Sequence, residues 1–120
     1  MAVSRGFLDF VVEQLAGCGP IVTKRMFGGA GIYSGDVFFG IVDDDVLYLK
    51  VDDETRDHFV AAGSTPFQPY PGRPDSTQYF NVPVSVLEDA DELTRWGRLA
   101  IAAALRARAA SSRSGRRRNP

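Results

Sequence analysis

The stretch from Lys24 to Val51, KRMFGGAGIYSGDVFFGIVDDDVLYLKV, decides how this chain folds. Three apolar runs lie in it, Gly31-Ile32-Tyr33, Val37 to Val42 and Val46 to Val51, rich in the β-branched and aromatic residues that fit a pleated surface. Ser34-Gly35-Asp36 and Asp43-Asp44-Asp45 punctuate them as hairpin turns. The pattern predicts an antiparallel meander, and whatever precedes or follows it must cover a face of that sheet or extend its edge. In the longer runs both alternating sets are apolar: Val37, Phe39 and Ile41 against Phe38, Gly40 and Val42, and Leu47, Leu49 and Val51 against Val46, Tyr48 and Lys50. A sheet with one wet face alternates more cleanly, so the second face is expected to be covered, by the C-terminal segment or by a second subunit; with the whole chain in view, one face is expected to meet the first and last helices and the other a partner.

Upstream of the meander, Ser4 is placed to cap a helix whose apolar stripe is Phe7, Phe10, Val11 and Leu15. Gly17 stands where a left-handed C-cap belongs, and Gly19-Pro20 blocks continuation. Ile21-Val22-Thr23 then leads into Lys24 to Phe27 and Gly28-Gly29-Ala30-Gly31, read as one long strand bent at its glycines. Glycines beside Lys24 and Arg25 also permit an anion cradle built on Gly28 and Gly29, with Lys50 as a further cation. The run is neither G-x-x-x-x-G-K-[ST] nor G-x-G-x-x-G, so the bend is the preferred reading.

Downstream, Asp52 caps a second helix, roughly Asp53 to Ala62, that buries Phe59 and stops at Gly63. Residues 64–75 carry four prolines, which predicts a short edge strand near Phe67 to Tyr70 and a stiff loop. Gln78 to Val82 is the final strand. Asp89 and Glu92 form a capping-box pattern ahead of a long helix carrying Leu93, Trp96, Ala100, Ala103 and Ala107. From Ala109 onward no apolar period continues, so residues 1–108 are expected to fold and residues 109–120 to form a disordered basic tail. The result is an α+β, two-layer domain with an antiparallel sheet of about five strands in the order α-β-β-β-α-β-β-α.

Composition bounds what such a domain does. A chain of 120 residues supports one core without a metal or disulfide staple. No apolar run approaches the roughly 20 residues that span a bilayer, and the N-terminus lacks the basic and apolar regions of a secretory signal, so a cytoplasmic protein without membrane contact is expected. Net charge is −1, but residues 1–105 hold 8 basic and 15 acidic residues, whereas residues 106–120 hold six arginines and no acid. An acidic body disfavours extended contact with a phosphate backbone; Arg113, Arg116, Arg117 and Arg118 could make it.

Catalytic chemistry is poorly represented. The two acidic clusters, Asp43-Asp44-Asp45 and Asp52-Asp53-Glu54, lack the interleaved spacing and turn glycine of a calcium loop. His58 has no sequence neighbour that would complete a dyad, and no serine sits in a nucleophile-elbow context. Cys18 is the sole cysteine and reads as a bystander. Neither a metal, a cofactor nor a catalytic residue is expected.

Lys24 to Gly29 with Phe38-Phe39-Gly40, the Leu47 to Val51 strand, the Gly63, Pro66 and Phe67 corner, the Tyr79 to Pro83 strand end and Trp96 together resemble the N-terminal domain of the TfoX/Sxy family, over about residues 5–105. The resemblance implies a secretion-chaperone-like α+β architecture whose members commonly pair as dimers. It also implies a bacterial regulatory domain related to regulators of natural competence. It transfers no catalytic residue, and the helical C-terminal domain that can follow in that family has no counterpart in the short basic segment here. The expected function is a non-enzymatic regulatory or adaptor domain acting through protein contacts. Two alternatives are DNA association through the arginine tail, and binding of a small anion by Lys24, Arg25, Lys50 and the glycines.

Overall fold

A computed structural model describes residues 4–26, 28–67 and 78–117. In chain order the elements are α1 (Arg5–Gln14), a 3-10 turn (Ala16–Cys18), β1 (Ile21–Met26), β2 (Gly29–Ser34), β3 (Val37–Asp43), β4 (Val46–Lys50), α2 (Arg56–Ala61), β5 (Tyr79–Asn81), α3 (Val84–Leu87) and α4 (Ala90–Arg117). The five strands form one antiparallel sheet in sequential order. The α+β class is therefore as expected, although the elements are distributed differently.

The largest difference lies at the glycines. What the sequence suggested was a single bent strand is a hairpin, β1 against β2, with Met26 paired to Gly29 across a two-residue turn. Gly28 takes φ +82°, a conformation open to glycine at little cost, and this is what lets the chain reverse rather than bend. The edge strand expected near Phe67 to Tyr70 is reduced, within the described residues, to a Pro66–Phe80 bridge; residues 68–70 lie outside them. Five strands thus result because the first predicted strand is two.

Alternation along β3 also departs from expectation. Ile32 pairs with Gly40 but Tyr33 pairs with Phe38, so Phe39 is an extra residue in a β-bulge. The bulge turns both Phe39 and Gly40 toward the helices and shifts Val42 to that side and Ile41 to the other. The helix-covered face then carries Ala30, Ile32, Phe39, Val42, Leu47, Leu49 and Phe80, all buried. Against it pack Leu8 and Val11 of α1, Leu15 just beyond its end, Phe59 of α2, and Leu93, Trp96 and Ala100 of α4. Phe59 holds the corner, its ring 4.6 Å from Trp96 and 6.4 Å from Phe80.

Local chemistry explains the helix ends. Ser4 Oγ accepts from Phe7 N and caps α1, but α1 stops before Leu15, and Gly19 rather than Gly17 takes the positive φ. Gly17 is instead a contact position: a Cβ there would lie 2.6 Å from Thr94 Oγ1. The second helix starts later than expected, at Arg56, because Asp53 to Thr55 form a turn capped by the Asp52 carboxylate, which accepts from Glu54 N. Gly63 at φ +89° ends it, with Gly63 N donating to Val60 O and Ser64 N to Phe59 O, the Schellman pattern. Asp89 caps α4 by accepting from Glu92 N, but the Glu92 carboxylate turns forward to Arg95 and Trp96 instead of back to the cap.

The last helix runs on to Arg117, past the expected boundary at residue 108. Alanine and arginine are strong helix formers, and two arginines tie α4 to the sheet layer. Arg106 donates to both carboxylate oxygens of Asp52, at 2.6 and 3.1 Å, and Arg108 donates to Asp36 O. The C-terminal helix lies on the same face as α1, as expected of the first and last helices, so of the two covers considered for the second face the C-terminal segment is not the one.

Candidate functional site

Among the described residues no helix packs on the other face of the sheet, and its side chains form a half-buried apolar layer. From β1 to β5 the register places there Val22, Lys24 and Met26, then Gly31 and Tyr33, Phe38 and Ile41, Val46, Tyr48 and Lys50, and finally Tyr79 and Asn81. The rings pack on one another: Tyr33 to Phe38 at 5.1 Å, Phe38 to Tyr79 at 5.8 Å, and Tyr48 to Phe67 at 4.6 Å between centroids. Gly31 makes this possible, since a Cβ there would sit 2.6 Å from Met26 Cε and 2.9 Å from Phe38 Cε1. The absence of a side chain lets Met26, Tyr33 and Phe38 close over the strand.

Two lysines frame the layer. Lys24 Nζ lies 4.9 Å from the Tyr33 ring centre and Lys50 Nζ lies 5.3 Å from that of Tyr79, within cation–π range. Lys50 also donates to Gln78 Oε1 at 2.7 Å. The semi-dry setting has electrostatic consequences. Burial pushes the Tyr79 phenol up to about 12, with a smaller contribution from Tyr33. Burial raises Tyr48 as well, assisted by Asp43 and Asp44, and lowers Lys50 against the opposing pull of Asp52.

The proposed anion cradle is only partly assembled. Lys24 and Arg25 lie on β1 immediately before the turn that contains Gly28, and Gly29 opens β2 in a buried position. Lys50, however, is on β4, with β2 and β3 between it and β1, a separation of about 14 Å at normal strand spacing. Gly29 is shaped by the sheet: a Cβ would lie 2.4 Å from Val42 O. Of the arginines expected to meet nucleic acid, Arg113, Arg116 and Arg117 sit on the α4 backbone at spacings of three and four, and Arg118 lies outside the described residues.

Among the described residues, clefts flank the helical layer at two places. One, of about 520 Å³, is lined by Lys50, Asp52, Glu54, Arg56 and Arg106. Its charges satisfy each other, Arg106 with Asp52 and Glu54 and Arg56 with Asp53, so it acts as the clasp between α4 and the β4–α2 turn. The Arg106 hydrogen bonds hold the Asp52 carboxyl below its ordinary range. The other, of about 480 Å³, is bordered by exposed His58, whose ring meets Trp96 edge-on at 4.9 Å, and by Glu92, Arg95 and Arg98. Cys18 is half-buried, its Sγ 3.5 Å from Thr94 O, and burial raises its thiol above the ordinary value despite the charge of Arg98. A raised thiol is a poor nucleophile at neutral pH. Among the described residues no group of three or more His, Cys, Asp or Glu side chains is placed to hold a metal, and no helix is long and apolar enough to cross a membrane.

Sequence reading had located the apolar excess of the central strands but not its members. Tyr33, Phe38, Ile41, Tyr48 and Tyr79 belong to one surface only because the Phe39 bulge reassigns Phe38 and Ile41 together. A phenylalanine pair followed by glycine in a strand was the available signal.

Fold and surface together define a small α+β domain with one sheet face under helices and, among the described residues, no helix on the other. Residues 13–104 match the model of the TfoX N-terminal domain, and the chain belongs to that family. A search of curated proteins gave no match.

Proposed function

We propose that this chain is a non-enzymatic, cytoplasmic regulatory domain of the competence-regulator type that works as an adaptor, docking a partner protein on its open sheet face. The observation that carries this reading is the half-buried layer of Tyr33, Phe38, Ile41, Tyr48 and Tyr79, with exposed Val22 beside it. Such a contiguous apolar surface is characteristic of protein contacts. A second copy of the chain is one protein that could occupy it, and sedimentation at micromolar concentration reads that directly. The test is substitution of Ile41→Lys and Tyr48→Lys, which charges the face without touching the helical core. The variants are expected to keep the far-ultraviolet spectrum and lose at least tenfold in recovery of the native partner, or of self-association. Undiminished recovery by folded variants would overturn the reading.

DNA association is a second reading, supported by the continuation of α4 into the arginine run while Arg106 and Arg108 are engaged with the body. Truncation after Ser112 keeps both anchors. On this reading it removes most of the DNA affinity and flattens its salt dependence. Equal retention of both forms on a DNA column at low salt disposes of it.

A further inference from the structure

The clefts that flank the helical layer differ in how their charges are settled. In the larger, Arg106 is taken up by Asp52 and Glu54, and Arg56 by Asp53, so an anion entering it would have to displace a carboxylate. In the cleft of about 480 Å³ between α2 and α4 the balance is positive. Arg95 Nε donates to Glu92 Oε1 at 2.8 Å and Trp96 Nε1 donates to Glu92 Oε2 at 3.3 Å, so both oxygens of that carboxylate are occupied and the Arg95 charge is matched. Arg98 lies three residues further along α4, on the neighbouring position of the helix surface. Among the described residues it pairs with no carboxylate; its Nη2 donates to the neutral Gly17 O at 3.3 Å. One exposed guanidinium at the rim therefore carries a charge that nothing in the cleft balances.

The rest of the lining has a different character. Trp96 is 2% exposed and Leu99 is half-buried, and together they give the cleft an apolar floor. His58 closes it on the α2 side, its ring edge-on to that of Trp96 at 4.9 Å. An apolar floor with a few polar groups at one side is the usual make-up of a small-molecule site, the apolar part supplying contact area and the polar groups fixing orientation. The planar fork of an arginine matches a carboxylate in two parallel hydrogen bonds. A bare inorganic anion would meet the same guanidinium but leave Trp96 and Leu99 to water, so the cleft favours an anion that brings an apolar body with it.

We propose that this cleft binds a small carboxylic acid with an apolar body, its carboxylate on Arg98 and its body over Trp96 and Leu99 against the His58 ring. The site is separate from the docking face of the adaptor reading. It lies in the helical layer, whereas Tyr33, Phe38 and Tyr48 lie on the other side of the sheet, so either assignment can fail without the other.

The probe is phenylacetate, with phenylacetamide as its neutral counterpart and inorganic phosphate as an anion without an apolar body. Trp96 is the only tryptophan, so its indole N–H resonance reports occupancy of the cleft in NMR titrations of the full chain. Phenylacetate is expected to shift that resonance saturably in the millimolar range or tighter, and to bind at least about tenfold more tightly than the amide or phosphate, as a charge-assisted hydrogen-bonded pair warrants. Arg98→Gln is expected to remove that preference for the acid over the amide. Leu99→Glu keeps the arginine but sets a carboxylate in the cleft, and is expected to weaken phenylacetate at least about tenfold; circular dichroism of both variants checks that the fold is kept. Equal affinity for acid and amide on the unaltered chain overturns the proposal, as does phosphate binding as tightly as phenylacetate. So does an undiminished preference in folded Arg98→Gln, and so do saturable shifts at Tyr33 and Tyr48 with none at Trp96. Absence of any saturable shift at about 20 mM phenylacetate overturns it as well.

Discussion

Gly29 and Gly31 stand on the same strand and face of β2, yet their neighbours differ in kind. At Gly29 the obstacle to a Cβ is the backbone oxygen of Val42; at Gly31 it is first the mobile end of Met26. Gly29→Ala is therefore expected to force β2 away from β3 and cost about 2 kcal/mol, within the usual range for overpacking, whereas Gly31→Ala costs under about 1 kcal/mol. Urea unfolding of the two variants measures the difference; equal midpoints would mean that the close approach at Val42 O is not maintained in solution. A glycine cluster was readable as backbone constraint. Which glycine serves a turn, and which a close approach, was not readable, because it depends on the partner strand and not on the glycines themselves.

The elements were more legible than their joints. The amphipathic period of α1, the Asp89 cap and the small-residue stripe of α4 as far as Ala103 are local properties, and they appear where the sequence put them, whereas Ala107, expected in that stripe, is exposed and Ala104 is buried instead. The glycine turn and the β3 bulge were missed because register is set across strands. The bulge makes a direct prediction about two adjacent phenylalanines. Phe39 is fully buried against α4, so Phe39→Ala should cost about 3–5 kcal/mol through lost burial and the cavity left behind. Phe38 lies on the open face, and Phe38→Ala should cost about 1 kcal/mol or less, the loss being confined to half-buried contacts with Tyr33 and Tyr79. Simple alternation would bury Phe39 too but would bring Ile41 into the core in place of Val42. Val42→Ala is accordingly the more damaging of the pair Val42→Ala and Ile41→Ala when unfolding free energies are compared.

At the scale of the molecule, one asymmetry organises the account. All the described helices that contribute to the core lie on one side of the sheet, and the aromatic layer on the other side is held in place by Gly31 and the bulge. The sequence announced a second apolar face through its unbroken apolar runs and put the first and last helices together on the other face, which is where α1 and α4 pack; it did not announce which strand residues make up the face without helices, because the β3 bulge decides that. The central claim is that this face is where the protein meets its partner. It is tested most directly by photo-crosslinking in the native cell, with a photoreactive residue at Ile41 or Tyr48 and, as control, at Leu105, an exposed position of α4. The account predicts a discrete crosslinked polypeptide from Ile41 and Tyr48 and none from Leu105. Crosslinking from Leu105 alone, or no product from either face position, would contradict it.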